Sequence, residues 1–508
     1  DGNSVSSGEK FINNGYLKIY NSNNNSSNFS TSVALTNNGT LDIDDIKMFG
    51  TNENSVIENN NKLNITQSLI QGDSGSGIKN NDHGVITTDK DTVIKSNTGY
   101  GIYNTGSDLV VNSGTVVGIY NEGTMTIDGN VIVNKPLDKL YGIHNKGTFI
   151  MNNGEVSTTE KEDLIYNENK FDFNDGLISA DKVALRNTGE FNANGGIINS
   201  STTAISNNGT LNVKGSEITS STGSTISNSN VVNVYNGEVV AHNGTGIIGS
   251  TVNVLGGTVS GTTYGIDCNL FKITSGSVSS DDIGVRTTHY NVNGNSIISG
   301  GTVIGKIDGI VTDSLTMTDG IIVGKENNGI TLEGTGLITG GNVNGAIYGV
   351  YSKGELTLGT DDEDISSTNP IIVGDSYGLY IEGDTTNFYD GILKGQIDGY
   401  YGNITGTPLG SITSEGEEII DDTTYQTDFI IKFDNWLRVG DQEFNNLNDA
   451  SKYITDDGVI EVIKDVSITF KQKIIDDEGN KNITLNLNGH KVTTTQSIEN
   501  DSNLTIKD

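Results

Sequence analysis

Cysteine is nearly absent. One residue in 508, Cys268, leaves no material for a disulfide framework or a multi-cysteine metal site. Proline occurs three times, tryptophan once, and aromatic residues make up only 6% of the chain. A globular enzyme of this length carries more large apolar residues and more proline. Basic residues are scarce as well: 30 Lys and Arg against 64 Asp and Glu give a net charge of −34. That excludes the basic stripe needed to bind a phosphate backbone, so no nucleic acid partner is expected. No apolar run approaches the ~18 residues of a membrane span. The opening residues DGNSVSSGEK do not have the character of a signal peptide, and read as a mature chain or an excised piece.

What is present is glycine, 66 residues of it, and regularly placed Ile, Val and Leu. That regularity argues against disorder, despite the low hydrophobicity and high acidity. The phrase GIYNEGTMTIDG (118–129) recurs as GIHNKGTFIMNNG from Gly142 and as AISNNGTLNVKG from Ala204. An apolar anchor marks each copy: Phe11, Leu35, Ile57, Ile78, Ile102, Ile119, Ile143, Ile165, Leu185, Ile205, Ile226, Ile247, Ile266, Val285, Ile310, Ile330, Val350, Leu379 and Tyr400. The 19 anchors are 17 to 29 residues apart. Between them, three- to five-residue runs alternate apolar and polar and break at Gly or Asn, which is strand and turn text. A period of twenty-odd residues with two or three short strands is one coil of a β-solenoid. The predicted fold is therefore all-β, a parallel β-helix of about 19 coils over residues 1–402.

Two residues past the anchor stands an asparagine in eleven successive coils: Asn13, Asn37, Asn59, Asn80, Asn104, Asn121, Asn145, Asn167, Asn187, Asn207 and Asn228. Two properties recommend Asn for a corner column. It tolerates the left-handed backbone, and its amide can bond the coils above and below. From the next coil on the column reads Gly249, Cys268, Thr287, Thr312, Leu332, Ser352 and Ile381, which implies a different corner. Cys268 falls in this column as a buried, unreactive thiol. Proline cannot donate to a ladder, and Pro136, Pro370 and Pro408 all fall in expected loops.

After Tyr400 the text changes. Residues 403–508 hold nine basic and twenty acidic residues, and GTPLGSITSEGEEIIDD (406–422) reads as a linker within an acidic linker/strand segment over 403–435. Phe444, Leu447, Ala450, Ser451 and Ile454 then have the spacing of a short amphipathic helix, with Asn445 or Asn446 as its cap. Strand text follows in VIEVIKD, NITLNLNGHKV and NLTIKD. The run WLRVGDQEFNNLNDASKYITDDGVIEVIKD with ITLNLNGHKV resembles the opening of a pectin-lyase-like right-handed β-helix domain in large surface proteins of low-GC Gram-positive bacteria. The GIxNxGT coils are similar to the body of the same fold. The resemblance implies a cap helix and the first coils of a following β-helix over 436–508. It is specific for architecture and weak for function, because lyases, hydrolases, tailspikes and adhesins share the fold. A cap-like segment so near the C-terminal end suggests either a piece of a longer array or chains that stack head to tail.

Enzymes that this fold resembles carry an Asp cluster with a basic residue, or an acidic pair with Gly-His-Gly and Arg-x-Lys. Neither of the last two motifs occurs here, and Arg286 after Asp281-Asp282 is the nearest approach. The acidic run with Asp361, Asp362 and Asp364 is a weak Ca²⁺ candidate that lacks the Gly-spaced pattern of known Ca²⁺ loops. The five histidines have no ligand spacing. No catalytic residue and no cofactor are expected.

The most suggestive surface feature is aromatic. One residue past the anchor, on the outward face, stand Tyr103, Tyr120, His144 and Tyr166, and later Tyr351 and Tyr380. Such rings can stack on sugar rings or on each other. A second set, Tyr100, Tyr141, Tyr264, Tyr348 and Tyr377, reads as corner packing. The chain is accordingly expected to be a non-enzymatic extracellular stalk or adhesin-like spacer at the cell surface, contacting surface glycans or host proteins. A self-associating filament subunit is the alternative, and a carbohydrate-active enzyme the third reading.

Overall fold

The computed structural model describes the chain except residues 1–3, 8–10, 23–27, 82, 159–161, 288–293, 361–368, 384, 408–409, 421–422, 433–434, 456, 469–471, 475–480 and 495–496. It divides into two compact units, Asp1–Val292 and Asn293–Asp508. Each contains a β-solenoid in which short strands pair in parallel with their counterparts one coil on. In the first unit every anchor from Phe11 to Val285 is the register partner of the next. In the second unit the same holds from Ile310 through Ile330, Val350 and Leu379 to Tyr400.

A typical coil shows why. Its three strands are Thr203–Asn207, Thr210–Val213 and Glu217–Ser220. Alternate residues face inward, so Ile205, Leu211, Val213 and Ile218 are fully buried while Ser206, Thr210, Asn212, Glu217 and Thr219 are wholly or partly exposed. Stacking these positions builds a continuous apolar column, and each large aliphatic residue in it contributes ~1.5–3 kcal/mol. Where the column carries aromatics they pack on one another: the Phe149, Phe171 and Phe191 centroids are 5.0 and 5.2 Å apart. The Gly of the Asn-x-Gly-Thr turn has its own reason. A Cβ on Gly147 would lie 2.0 Å from the Gly123 carbonyl oxygen, and one on Gly209 would lie 2.0 Å from that of Gly189. Only a residue without a side chain lets successive turns approach so closely.

In the second unit, residues 410–420 of the stretch read as a linker are instead strand. Gly410–Ile420 and Thr423–Lys432 form an antiparallel hairpin. Its second strand adds, antiparallel, to Ile392–Gly395 of the preceding coil and closes that sheet edge. Further on, the helix Leu447–Tyr453 is capped by Asn446, whose side chain accepts from the Asp449 amide at 2.8 Å. It buries Leu447, Ala450 and Ser451 against a separate small core that includes Trp436, Ile460, Val462 and Leu485. The indole N–H of Trp436 donates to the Asn445 carbonyl at 2.6 Å. Parallel strands Gly458–Val462, Asn482–Asn486 and Asn503–Lys507 follow in coil-like register. Among the described residues no helix is long and apolar enough to cross a membrane.

Candidate functional site

The asparagine column is a buried hydrogen-bonded ladder. The anchor and the residue two positions on share a face, so each Asn points inward beside its Ile. Asn104 donates to the Oδ1 of Asn121 at 2.7 Å, Asn121 to Asn145, Asn145 to Asn167, Asn167 to Asn187 and Asn187 to Asn207, each at 2.7 Å. The chain of amides begins at Asn13 and ends at Asn228. Each amide also holds its own turn: Asn121 donates to the Gly123 carbonyl at 3.1 Å and to Thr148 of the next coil at 3.0 Å. The expected left-handed backbone is absent here. Positive φ at non-glycine residues occurs at Asp45, Gln67, His83 and Asn488 among the described residues, and the ladder asparagines are strand residues. The column is thus explained by amide bonding alone. Past Asn228 its positions stay buried at Cys268, Thr312, Leu332, Ser352 and Ile381. Ser352 keeps the local bond, donating to the Gly354 carbonyl at 3.2 Å.

A second ladder was not recognised in the sequence. Asn253, Asn233, Asn212 and Asn192 each donate one coil back, at 2.8 to 2.9 Å, and the series ends on the Asp172 carboxylate. A carboxylate only accepts, so it fixes the direction of the series. An exposed third one runs from Asn194 through Asn174 and Asn152 to Asp128.

The two aromatic sets are one. In the first unit Tyr103 and Tyr120 stack at 5.0 Å with planes 4° apart, and His144 and Tyr166 continue the column at 4.9 and 5.2 Å. Tyr100 and Tyr141, expected as corner packing, lie against the same rings at 5.4 and 5.1 Å from Tyr120 and Tyr166. Polar tips are tied down. Tyr103 donates to Glu122 at 2.9 Å, and burial together with that carboxylate pushes its pKa up to about 12. His144 meets Glu168, Arg186 pairs with Asp163, and Lys139 and Lys146 sit over Tyr100 and Tyr120 at 5.3 and 5.6 Å. The second unit repeats the pattern with Tyr348, Tyr351, Tyr377, Tyr380 and Tyr401. Tyr264 differs: its ring lies 3.9 Å under the Arg286 guanidinium.

That contact also settles where Arg286 goes. Its guanidinium donates to both carboxylate oxygens of Asp267, at 2.6 and 3.3 Å, and to the Tyr264 hydroxyl at 2.6 Å. Asp281 and Asp282 are not its bonded partners in these contacts. Cys268 is buried, and burial pushes its thiol pKa well up, away from thiolate chemistry. The Ca²⁺ candidate Asp361, Asp362 and Asp364 lies outside the described residues, as does His289. Among the described residues no group of three His, Cys, Asp or Glu side chains is placed to hold a metal.

Comparison of the chain with family models, with curated proteins and with solved structures gave no match. The class that the fold defines is the β-solenoid.

Proposed function

We propose that this chain is a non-catalytic, extracellular surface segment: a stiff β-solenoid spacer of adhesin type that makes weak, repeated contacts with surface glycans or host proteins. The likeness of residues 436–492 to the start of a pectin-lyase-like right-handed β-helix supports placing it with the large surface proteins of Gram-positive bacteria. One observation carries the reading. The side chains closest in kind to a reactive cluster are engaged in holding coil to coil, Arg286 on Asp267 and Tyr264, and His144 on Glu168. Repetition then serves avidity, since several weak contacts on one scaffold bind more strongly than any one of them.

The contact half of the proposal is tested on the first tyrosine face. Replacing Tyr103→Ala together with Tyr120→Ala is expected to abolish retention on immobilised glycan while the melting temperature stays put. Unchanged retention, or a fall in melting temperature that accounts for the loss, would reduce these rings to packing.

A further inference from the structure

The two tyrosine faces differ in charge. On the first, cations and carboxylates are interleaved with the rings: Lys139, Lys146, Arg186 and Lys182 against Glu122, Glu168 and Asp163. On the second, Glu333 and Glu382 attend the rings, Asp375 and Asp398 add acidic charge on the neighbouring strand positions, and one lysine answers them. Glu382 accepts from the Tyr351 hydroxyl; Asp398 is the register partner of Tyr377 and accepts from the Gly399 amide at 2.9 Å; Asp375 directly follows the strand that precedes Tyr377 and accepts from the Tyr425 hydroxyl at 3.3 Å. The lysine is Lys353, which lies 2.8 Å from Glu333 and 5.3 Å from the Tyr351 centroid. The bond to Glu382 raises the pKa of Tyr351 to about 12, while that of Tyr380 is raised chiefly by burial.

Three of the rings form an oblique stack across three coils, Tyr348 on Tyr380 at 4.5 Å and Tyr380 on Tyr401 at 4.8 Å. Beside them Ile347 and Ile397 are exposed, the latter at 61%, and Tyr401 at the end of the stack is 50% exposed. Among the described residues no cation of the chain lies over Tyr348, Tyr377, Tyr380 or Tyr401. The chain itself shows what such a surface accepts. Tyr120 is stacked on Tyr103 and still takes the Lys146 ammonium over its ring, and Lys353 combines a tyrosine with a carboxylate. An electron-rich ring face with a carboxylate beside it is a receptor for an ammonium or guanidinium group.

We propose that the tyrosine face of the second unit is a docking surface for a cationic polypeptide segment, whose Lys or Arg side chains lie over Tyr380 and Tyr401 and pair with Glu382 and Asp398. Charge complementarity selects this occupant. A second copy of a chain with net charge −34 would be repelled, and a neutral glycan, though its hydroxyls can donate to carboxylates, leaves their negative charge uncompensated. The inference rests on the reading of the chain as a contact-making surface, but it is independent of the glycan test on the first unit.

The experiment uses the full chain and a fluorescent deca-arginine amide, with the matched deca-citrulline peptide as its uncharged counterpart, titrated by anisotropy at physiological salt. Arginine peptide is expected to bind and citrulline peptide to bind at least tenfold more weakly. Tyr380→Leu with Tyr401→Leu should weaken binding at least tenfold, Tyr380→Phe with Tyr401→Phe less than threefold, and Tyr103→Leu with Tyr120→Leu less than twofold. Should the leucine pair fail to melt cooperatively, Glu382→Gln with Asp398→Asn decides, again with a tenfold loss expected. Equal binding by every variant would show attraction to bulk charge alone and overturn the proposal. So would equal binding of the two peptides, or no binding at all.

Discussion

Asn145 shows what one residue does for a coil. Its Oδ1 takes a bond from Asn121, and its two N–H groups are shared among the Asn167 Oδ1 and the carbonyls of Gly147 and of Lys170 in the next coil. Removing it leaves buried donors and acceptors without partners on both sides, at ~1–3 kcal/mol for each group orphaned. Asn145→Ala should therefore cost about 3 kcal/mol or more by chemical denaturation. Asn174→Ala, in the exposed ladder where water replaces the lost partner, should cost under ~1 kcal/mol. Comparable costs at the two sites would show that burial does not govern the ladder. Glycine gives a second contrast. Gly147→Ala drives a Cβ into backbone at 2.0 Å and should cost about 3 kcal/mol, the upper end of overpacking effects. Gly15→Ala, where an added Cβ meets nothing within 4 Å, should melt within a degree or two of wild type.

At the scale of elements, the hairpin 410–432 carries a titratable lock. Asp428 stands opposite Leu393 at the inward register of the last coil strand, where it is 1% exposed. Burial and the neighbouring Asp398 carboxylate raise its pKa, while the Ser414 hydroxyl and the Gly399 amide partly oppose them. A carboxyl raised in the folded state adds stability that is complete below its ordinary range, about 4, and is lost as pH rises through the raised value. Asp428→Asn should thus raise the melting temperature of the second unit at neutral pH, and the gap should close on acidification. A gap that widens on acidification would mean that Asp428 is held ionised. This hairpin was hidden in the sequence because its serines and glutamates read as a solvated linker, and its strand character comes from a sheet edge that local text does not reveal. The anchors were legible for the opposite reason. Every coil must present an apolar residue at the same inward position, so spacing alone recovers the register from Phe11 to Val285 and from Ile310 to Tyr400. The union of the tyrosine sets was missed because Tyr100 and Tyr103 belong to different columns of the text, on either side of Gly101. Only the bend there brings their rings to one surface.

For the whole molecule, the two units use one inward logic and two polar solutions. Amide ladders run through the first, from Asn13 to Asn228, whereas apolar and hydroxyl side chains fill the same column in the second. The charge of −34 keeps such flat β surfaces from pairing laterally. Buried polar ladders favour one register over all others, because a slipped coil would strand every amide at once. A spacer, the role proposed for this chain, depends on such a fixed register to keep its length. The central claim is that the ladder makes neighbouring coils open together, and hydrogen exchange on wild type and Asn145→Ala measures it most directly. The account predicts that the variant loses protection over several coils on both sides, reaching at least the strands of Asn104 and Asn187. Loss confined to the strand of Asn145, or no loss at all, would contradict it.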